Sequence, residues 1–309
     1  MRSVVALAGG VGGAKLALGF SQILDPDELT VIINTADDDE FYGLHVSPDF
    51  DTVMYTLAGV SNVETGWGLQ DESFRTLGRL KQYGVDAWFN LGDLDFATHL
   101  FRTQMMGEGK TLSEACTKLA QALGVRHRLL PATDDPIRTM VETEDGIMSF
   151  QEYFVKNRCE PVVKSIGFEG SNSCRINNDA KEFLMNMDLL VFCPSNPFLS
   201  LAPILSVPGF RKIVESYPGK SVAVSPIVGG KAIKGPAAKI LQELGHDVSS
   251  LGVARQYVGL CDTFIIDDQD VSMKQSIESL GMEVFVTKTI MNSNQEKKQL
   301  AEFILDISA

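Results

Sequence analysis

The first segment of the chain is a short apolar strand that runs directly into a glycine turn and a helix. The strand Ser3–Ala8 is followed by Gly9-Gly10-Val11-Gly12-Gly13-Ala14-Lys15-Leu16, and helical periodicity over 14–23 continues from there. Glycines let backbone N–H groups approach a ligand without a Cβ in the way, and the positive end of a helix favours an anion such as phosphate. The sequence therefore predicts a phosphate site made by the amides of Gly10, Val11, Gly12 and Gly13, with the Lys15 ammonium beside them.

Two familiar nucleotide-binding motifs fit this turn poorly. A P-loop requires glycine before its lysine and a hydroxyl residue after it, but here Ala14 and Leu16 flank the lysine. The dinucleotide fingerprint is met at its first two glycines, yet the second strand ends at Asn34 and not at the acid that binds a ribose. P-loop chemistry is therefore excluded and NAD binding is disfavoured. A turn that only packs a helix on the sheet stays open as an alternative.

The charge balance restricts the partners. The 309 residues carry a net charge of −13, which argues against a nucleic acid or an anionic membrane as the main partner. An anionic substrate must then be met by local positive charge or by a divalent metal. The candidate cations are Lys15, Arg138, Lys231, Lys234 and Lys239.

Cysteine usage and hydropathy predict a cytoplasmic protein. Five cysteines without a C-x-x-C pair are typical of reduced thiols and do not indicate zinc. Glycine interrupts the N-terminal apolar run, and no stretch of about 18 consecutive apolar residues occurs. We therefore expect neither a signal peptide nor a membrane-spanning helix.

Strand-like apolar runs alternate with helical patterns along most of the chain. This alternation predicts an α/β fold: a Rossmann-like, doubly wound, mostly parallel sheet. Residues 1–136 and 176–309 would form the core, whereas 137–175 break the rhythm and are expected to be an inserted small α+β subdomain. The predicted strands are Val4–Ala8, Val31–Asn34, Ala87–Leu91, Leu189–Cys193, Ser221–Ser225, Phe264–Asp267 and Val284–Thr287.

Acidic residues follow several of these strands, at the edge of the sheet where ligands bind in such folds. The segment 34–52 contains six carboxylates, Asp93 and Asp95 follow the run at 87–91, and Asp134 and Asp135 lie in a third turn. Three acidic loops together favour a metal-assisted site. Each also has a simpler explanation: a solvated acidic loop for 34–52, a helix N-cap for Asp95 and ordinary turn chemistry for Asp135.

Two further turns lie at the same predicted edge. Pro194-Ser195-Asn196-Pro197 is a rigid polar turn suited to a nucleobase or a phosphate, and Gly229-Gly230-Lys231 is a second glycine and lysine loop. Two anion-binding loops suggest a diphosphate or a nucleotide. Aromatic residues beside the acidic loops are candidates either for stacking on a flat ring or for the core. No motif for a covalent nucleophile is present.

These motifs, in this order, resemble those of the 2-phospho-L-lactate transferase family of coenzyme F-420 biosynthesis. The resemblance is carried by 8–16, Asn34-Thr35, His45-Val46-Ser47-Pro48-Asp49-Phe50-Asp51-Thr52, Trp88-Phe89-Asn90-Leu91-Gly92-Asp93-Leu94-Asp95, Thr133-Asp134-Asp135-Pro136, Pro194–Pro197 and 225–230. It implies Mg²⁺-dependent transfer of a phospholactyl group from a guanosine diphosphate-type donor to the deazaflavin 7,8-didemethyl-8-hydroxy-5-deazariboflavin (Fo), with GMP leaving. In related members the donor carries an enolpyruvyl unit, and the sequence does not choose between them.

The resemblance also implies roles for individual residues. Asp51 and Asn90 would contact Fo, whereas the glycine turn and Ser195-Asn196 would hold the guanosine diphosphate part. We predict Asp37, Asp51 and Asp93 as catalytic residues and Mg²⁺ ligands, with Gly229 and Gly230 completing the nucleotide site. A homodimer is plausible. The alternatives are a non-catalytic regulator that binds nucleotide sugars, as in a related sister family, and an NAD(P)-dependent reductase.

Overall fold

The computed structural model describes residues 2–233 and 235–309, so the candidate cation Lys234 lies outside the described residues. The strands in the described part are β1 (Val4–Ala8), β2 (Leu29–Ile33), β3 (Asp39–Phe41), β4 (Leu44–Val46), β5 (Arg128–Pro131), β6 (Arg138–Thr143), β7 (Gly146–Ser149), β8 (Val163–Glu169), β9 (Leu189–Phe192), β10 (Lys220–Val224), β11 (Ile227–Val228), β12 (Lys231–Ala232), β13 (Thr263–Ile266) and β14 (Glu283–Val286).

Helices connect most of these strands. They are α1 (Gly10–Ser21), α2 (Pro48–Ala58), α3 (Arg75–Gln82), α4 (Asp93–Gly107), α5 (Leu112–Ala122), α6 (Asn178–Met185), α7 (Ala202–Ser206), α8 (Phe210–Glu215), α9 (Ala237–Glu243), α10 (Ser250–Ala254), α11 (Lys274–Glu278) and α12 (Asn294–Ile307). Single π-helical turns occupy Glu152–Lys156 and Pro197–Leu201, and 3₁₀ turns occupy Arg255–Tyr257 and Asp268–Met273. No helix in the described part of the chain is both long and apolar enough to cross a bilayer.

A parallel sheet forms the centre of the fold, in the order β14-β13-β10-β9-β1-β2-β5. Alternate residues of β1 pack on opposite faces: Val5 and Leu7 belong to one hydrophobic cluster, and Val4, Ala6 and Ala8 belong to the other. Because helices cover both faces, the inner strands are continuous buried runs. The predicted doubly wound α/β fold is confirmed.

In the central sheet, one predicted strand is wrong and one strand was not predicted. Residues 87–91 form no strand, because Phe89 and Leu91 are buried in a separate cluster with Phe41 and Val46. The rings of Phe41 and Phe89 stack with their centroids 3.8 Å apart. The edge strand is instead β5, a run of four residues that begins with arginine and ends with proline. Only two leucines, Leu129 and Leu130, separate the arginine from the proline, and two apolar residues form no recognisable strand pattern.

The inserted segment forms its own small sheet. Strands β7, β6 and β8 pair antiparallel in that order, and the turn Glu152–Lys156 follows β7. Val163 and Tyr153 pack against Ile240 of α9, so that this sheet lies on the core rather than apart from it. The exact boundaries 137–175 stay a prediction.

Candidate functional site

A cavity of about 580 Å³ lies beyond the carboxyl ends of the parallel strands. The segments that follow β1, β2, β9, β10 and β14 all contribute to its lining, as the rule for open α/β sheets predicts. The insertion closes one side with Phe150, Gln151 and Phe154. From the predicted site residues, the lining includes Gly10, Val11, Gly12, Lys15, Asp37, Asp51, Asn90, Ser195 and Asn196.

The glycine turn is the beginning of helix α1. This helix starts at Gly10, four residues before the predicted position, and Gly10 has a left-handed φ of +61° that glycine adopts readily. The N–H groups of Gly10, Val11 and Gly12 therefore lie in the first turn of the helix, where backbone N–H groups have no partner within the helix itself. Together with the helix dipole they favour an anion at this end of the cavity.

The turn Ser195-Asn196 is attached directly to the glycine turn. The Gly9 N–H donates to Ser195 Oγ at 3.1 Å, and the Ser195 hydroxyl donates to the Gly9 carbonyl at 2.8 Å. A Cβ on Gly13 would lie 2.8 Å from Ser195 Oγ, so the lack of a side chain at Gly13 lets the two turns pack closely. Both segments predicted to bind the nucleotide therefore form one surface.

The side-chain amide of Asn196, which belongs to this surface, has a hydrogen-bond donor without a partner among the described residues. Asn196 Oδ1 accepts from the N–H groups of Phe198 and Leu199 at 2.9 and 3.2 Å. Asn196 Nδ2 is buried and has no hydrogen-bond partner among the described residues. Because a buried donor without a partner costs free energy, Nδ2 is suited to an acceptor atom of a ligand in the cavity.

Gly12 packs directly against the backbone of the turn at Pro194. A Cβ at this position would lie 2.0 Å from the Pro194 carbonyl oxygen, and this oxygen belongs to the backbone and cannot rotate away. We expect Gly12→Ala to separate the two turns and to weaken nucleotide binding at least about tenfold, as measured by calorimetry.

The control for this substitution is Gly78→Ala. Gly78 lies in α3, and no neighbouring atom comes within 4 Å of the place that a Cβ would take there. Alanine at this position should therefore leave binding unchanged and raise stability by about 0.5–1 kcal/mol. Equal nucleotide affinity for Gly12→Ala and the unchanged protein would contradict the role of the contact with Pro194.

Buried carboxylates also line the cavity, and one of them, Asp49, lies against the glycine turn: its Oδ2 lies 2.5 Å from the place that a Cβ on Gly9 would take. Burial and the charge of Asp49 raise the pKa of Asp37 well above its ordinary value. Burial also raises the pKa of Asp49 to about 6, although Asn34 Nδ2 donates to its carboxylate at 2.9 Å. Burial and the charge of Asp51 raise the pKa of Asp95 to about 7. Carboxylates whose ionised form is disfavoured in this way are typical of sites that receive a cation or a proton.

Asp51 lies in a different environment, because a buried arginine pairs with it. Arg102 has no exposed surface, and its Nη1 donates to Asp51 Oδ2 at 3.1 Å while its Nη2 pairs with Oδ1. His99 Nδ1 lies 3.2 Å from Arg102 Nη1 and 3.7 Å from Asp51 Oδ2. Burial lowers the pKa of His99 to about 4, so the ring is neutral at physiological pH. Asp95, His99 and Arg102 share one face of α4.

Aromatic rings form the wall next to these polar groups. The rings that line the cavity are those of Tyr55, Trp67, Phe89, Phe150 and Phe154. Phe150 and Phe154 stack with their centroids 5.3 Å apart. Half of the surface of Trp67 is exposed, at 48 %. A cavity that offers both an anion site and flat aromatic surface is suited to a ligand with an anionic group and a planar ring.

The model of the family "2-phospho-L-lactate transferase CofD" matches residues 4–300 of this chain. The chain belongs to the 2-phospho-L-lactate transferase family. It is 36 % identical to a 2-phospho-L-lactate transferase from Methanosarcina mazei, over 98 % of this chain and 99 % of the relative. It is 39 % identical to a phosphoenolpyruvate transferase from Streptomyces griseus, over 99 % of this chain and 98 % of the relative. Family membership makes the protein a transferase.

A solved structure supports the fold of this family member. The crystal structure of a UPF0052 family protein from Bacillus halodurans superposes with a TM-score of 0.64, covering 98 % of both chains at 18 % identity. An identity this low establishes the shared fold alone. The similarity to this structure therefore gives no support to the alternative of a regulatory protein that binds nucleotide sugars.

Asp93, which was predicted as a catalytic residue and Mg²⁺ ligand, lies outside the cavity of this transferase family member. Its carboxylate accepts from the N–H groups of Arg75 and Thr76 at 3.2 and 2.9 Å and from the Ser73 hydroxyl, and it thereby caps helix α3. These hydrogen bonds, led by that of Ser73, lower the pKa of Asp93 to about 2. Asp93 is not among the residues that line the cavity, so we leave it out of the site. The prediction for Asp93 followed from the strand expected at 87–91, which would have placed this residue at the carboxyl edge of the sheet.

Gly229 and Gly230 also lie outside the lining. They form the tight turn between β11 and β12, where the Gly229 N–H donates to both carboxylate oxygens of Asp270 at 3.2 Å. The Gly229 N–H therefore already has an acceptor within the protein and does not face a ligand in the cavity. Of the other candidate cations, Arg138 donates to the Asp38 carbonyl, and Lys239 donates to the Pro161 carbonyl at 2.8 Å.

Several residues of the site were not predicted. His99, Arg102, Phe150, Gln151 and Phe154 were not named as site residues. The spacing of Asp95, His99 and Arg102 was the one available signal, because in a helix that includes all three it places these ionisable groups on one face. The contribution of the insertion had no signal, since it depends on how that segment folds back over the core.

Proposed function

We propose that the protein transfers a 2-phospholactyl or phosphoenolpyruvyl group from a guanosine diphosphate-type donor to the deazaflavin Fo, with Mg²⁺, and releases GMP. One observation carries this proposal: a single cavity joins a helix N-terminus to buried carboxylates and an aromatic wall. Family membership and relatives named for both donor types support the transfer. The experiment below distinguishes a lactyl from an enolpyruvyl unit in the donor.

The donor would bind at the glycine turn. The amides of Gly10, Val11 and Gly12 and the ammonium of Lys15 are suited to the diphosphate, and Asn196 Nδ2 offers a hydrogen bond to the same molecule. The acceptor would bind at the other end, with its flat ring against the aromatic wall and within reach of Asp51 and Asn90, which both line the cavity.

Asp37 and Asp49 fit a magnesium site better than Asp51 does. Both are buried oxygen donors that line the cavity, and the charge of Asp49 raises the pKa of Asp37, so the two carboxylates lie close to each other. Asp51 already shares both oxygens with Arg102. Among the residues that the structure describes, no three His, Cys, Asp or Glu side chains are grouped closely enough to hold a metal by themselves.

A pair of carboxylates is nevertheless what Mg²⁺ commonly uses. This ion is typically bound by one or two carboxylates together with substrate phosphates and water. When bound, Mg²⁺ would neutralise charge on the donor's diphosphate.

The protein's own residues would position the reactants for an in-line displacement. A ribityl hydroxyl of Fo attacks the phosphorus that bears the three-carbon unit, and the bond from this phosphorus to the oxygen of GMP breaks. GMP leaves with that electron pair, and the hydroxyl proton passes to a nearby base. Asp51 is positioned to accept it, since it lines the cavity and Arg102 fixes its orientation. The helix N-terminus stabilises the negative charge on the departing phosphate.

The test is to incubate the pure protein with Fo, Mg²⁺ and either the lactyl or the enolpyruvyl donor. We expect GMP and a product in which Fo has gained the phosphorylated three-carbon acid, both measured by mass spectrometry. The donor giving the larger kcat/KM identifies the three-carbon unit. A protein that binds a UDP-sugar, ignores Fo and forms no product would instead be the regulatory type of protein, and the proposal would be abandoned.

A further inference from the structure

A buried charged triangle lies behind the acceptor end of the cavity. Its members are Arg102 and His99 of α4 and Asp51 of α2, which are 0 %, 2 % and 5 % exposed. Placing an arginine inside a helix with no exposed surface costs desolvation free energy. The pairing with Asp51 offsets this cost but does not explain why the third member is a histidine that also lines the cavity.

The contact between Arg102 and His99 determines where the imidazole proton lies. A guanidinium can only donate hydrogen bonds, and Arg102 Nη1 lies 3.2 Å from His99 Nδ1. Nδ1 must therefore accept, and in a neutral ring the proton is then on Nε2. Burial lowers the pKa of His99 to about 4, which agrees with a neutral ring. Nearby groups act in both directions: Asp51 favours the protonated ring, whereas Arg102 and His45 disfavour it.

The other ring nitrogen is left for a ligand. The ring of His99 lines the cavity, and among the described residues no hydrogen-bond acceptor is paired with Nε2. A donor of this kind at a cavity wall is suited to an oxygen of a bound molecule. Asp51 beside it is an acceptor, so the two side chains together offer complementary groups to an alcohol or a carbonyl compound.

We propose that His99 donates a hydrogen bond from Nε2–H to an oxygen of the bound acceptor, and that Arg102 is a positioning residue that fixes this tautomer and the orientation of Asp51. The identity of the acceptor as Fo rests on the proposed function. The assignment of the tautomer does not, because it follows from the contact between Arg102 and His99 alone.

Two substitutions at His99 distinguish a donor at Nε2 from one at Nδ1. The amide nitrogen of glutamine reaches about as far from the backbone as Nε2, whereas that of asparagine reaches only as far as Nδ1. We expect His99→Asn to lower kcat/KM for the acceptor about 10-fold to 100-fold and His99→Gln to retain at least tenfold more of it than His99→Asn does. The KM for the donor should change less than twofold in both variants, because the glycine turn is unaltered.

Equal losses in the two variants, or a loss expressed mainly in the donor KM, would overturn the role of Nε2–H. A circular dichroism spectrum and a melting curve for each variant identify any that fails to fold. The comparison then uses the binding of Fo to the folded variants, followed by deazaflavin fluorescence.

A spectroscopic measurement tests the tautomer without any substrate. In ¹⁵N NMR of histidine-labelled protein, the His99 signals are identified by their disappearance in His99→Gln. We expect the proton on Nε2 in the unchanged protein, and a proton on Nδ1 or a charged ring at neutral pH would overturn the inference. If the unchanged protein failed to bind Fo, both the proposed function and the role of His99 toward Fo would fall, while this spectrum would still decide the tautomer.

Discussion

Replacing Asp49 by asparagine is expected to lower turnover by about 10²-fold or more and, in the absence of metal, to make the protein more stable above pH 7. Turnover falls because the variant loses one of the two carboxylates proposed to hold Mg²⁺. Stability rises because burying an ionised carboxylate costs free energy in the folded state. The two effects have opposite signs, and this distinguishes Asp49 from a residue that only supports the structure.

The sign of the stability effect follows from the pKa of Asp49, which burial raises from 3.8 to about 6. A carboxyl group whose pKa is raised in the folded state binds its proton more tightly there than in the unfolded chain. Its contribution to stability is present below about pH 4 and is lost as the pH rises through about 6. The neutral asparagine avoids this loss, which is on the order of 1–3 kcal/mol above pH 7.

The measurements are urea unfolding between pH 4 and pH 8 without metal, and turnover as a function of Mg²⁺ concentration. Asp93→Asn is the matched control, because it makes the same chemical change at a carboxylate that caps α3 outside the cavity. It should leave turnover within about threefold and lower the stability of the protein, because the cap of α3 loses a charged acceptor. Undiminished turnover in Asp49→Asn would remove Asp49 from the proposed magnesium site.

Replacing Arg102 by methionine is expected to destabilise the protein by about 3–5 kcal/mol. Methionine fills much of the same volume but leaves Asp51, which is 5 % exposed, without its bidentate partner. A buried carboxylate without a partner is far more costly than the intact pair. Urea unfolding at pH 7 measures the effect.

Two further variants show whether the lost charge pair is the cause. Adding Asp51→Asn to Arg102→Met should restore part of the stability, because no lone charge is then left in the interior. Arg211→Met makes the same substitution in the exposed pair with Glu215 and should cost less than about 0.5 kcal/mol. Equal effects at Arg102 and Arg211 would contradict the importance of the buried pair.

The parts of the fold that the sequence predicted are those set by local pattern. The inner strands are continuous, mostly apolar runs of four or five residues, and the glycine turn at 9–13 precedes a helical pattern. Both features were therefore found without knowledge of the tertiary structure. The apolar run at 87–91 was misassigned because an aromatic cluster buries such a run as well as a sheet does.

The same distinction holds for the site. Asp37, Asp51, Asn90 and Ser195 could be placed at one cavity because each lies in a loop next to an expected strand or in a recognised motif. The direction in which Asp93 points, and the pairing of Asp51 with Arg102, depend on how α3, α4 and α2 pack on one another. No spacing in the sequence encodes those packing angles, so the metal ligands that we propose differ from those predicted from the sequence.

The cavity lining is drawn from almost the whole length of the chain, from Gly9 to Met291. Its components come together only when all the strands between them are paired, so an isolated fragment would possess no functional pocket. Occupancy by a nucleotide is thereby coupled to global unfolding, and each tenfold increase of ligand above its Kd should add about 1.4 kcal/mol to the cooperative transition. Melting temperature in the presence of candidate compounds is thus a direct screen for what this enzyme recognises.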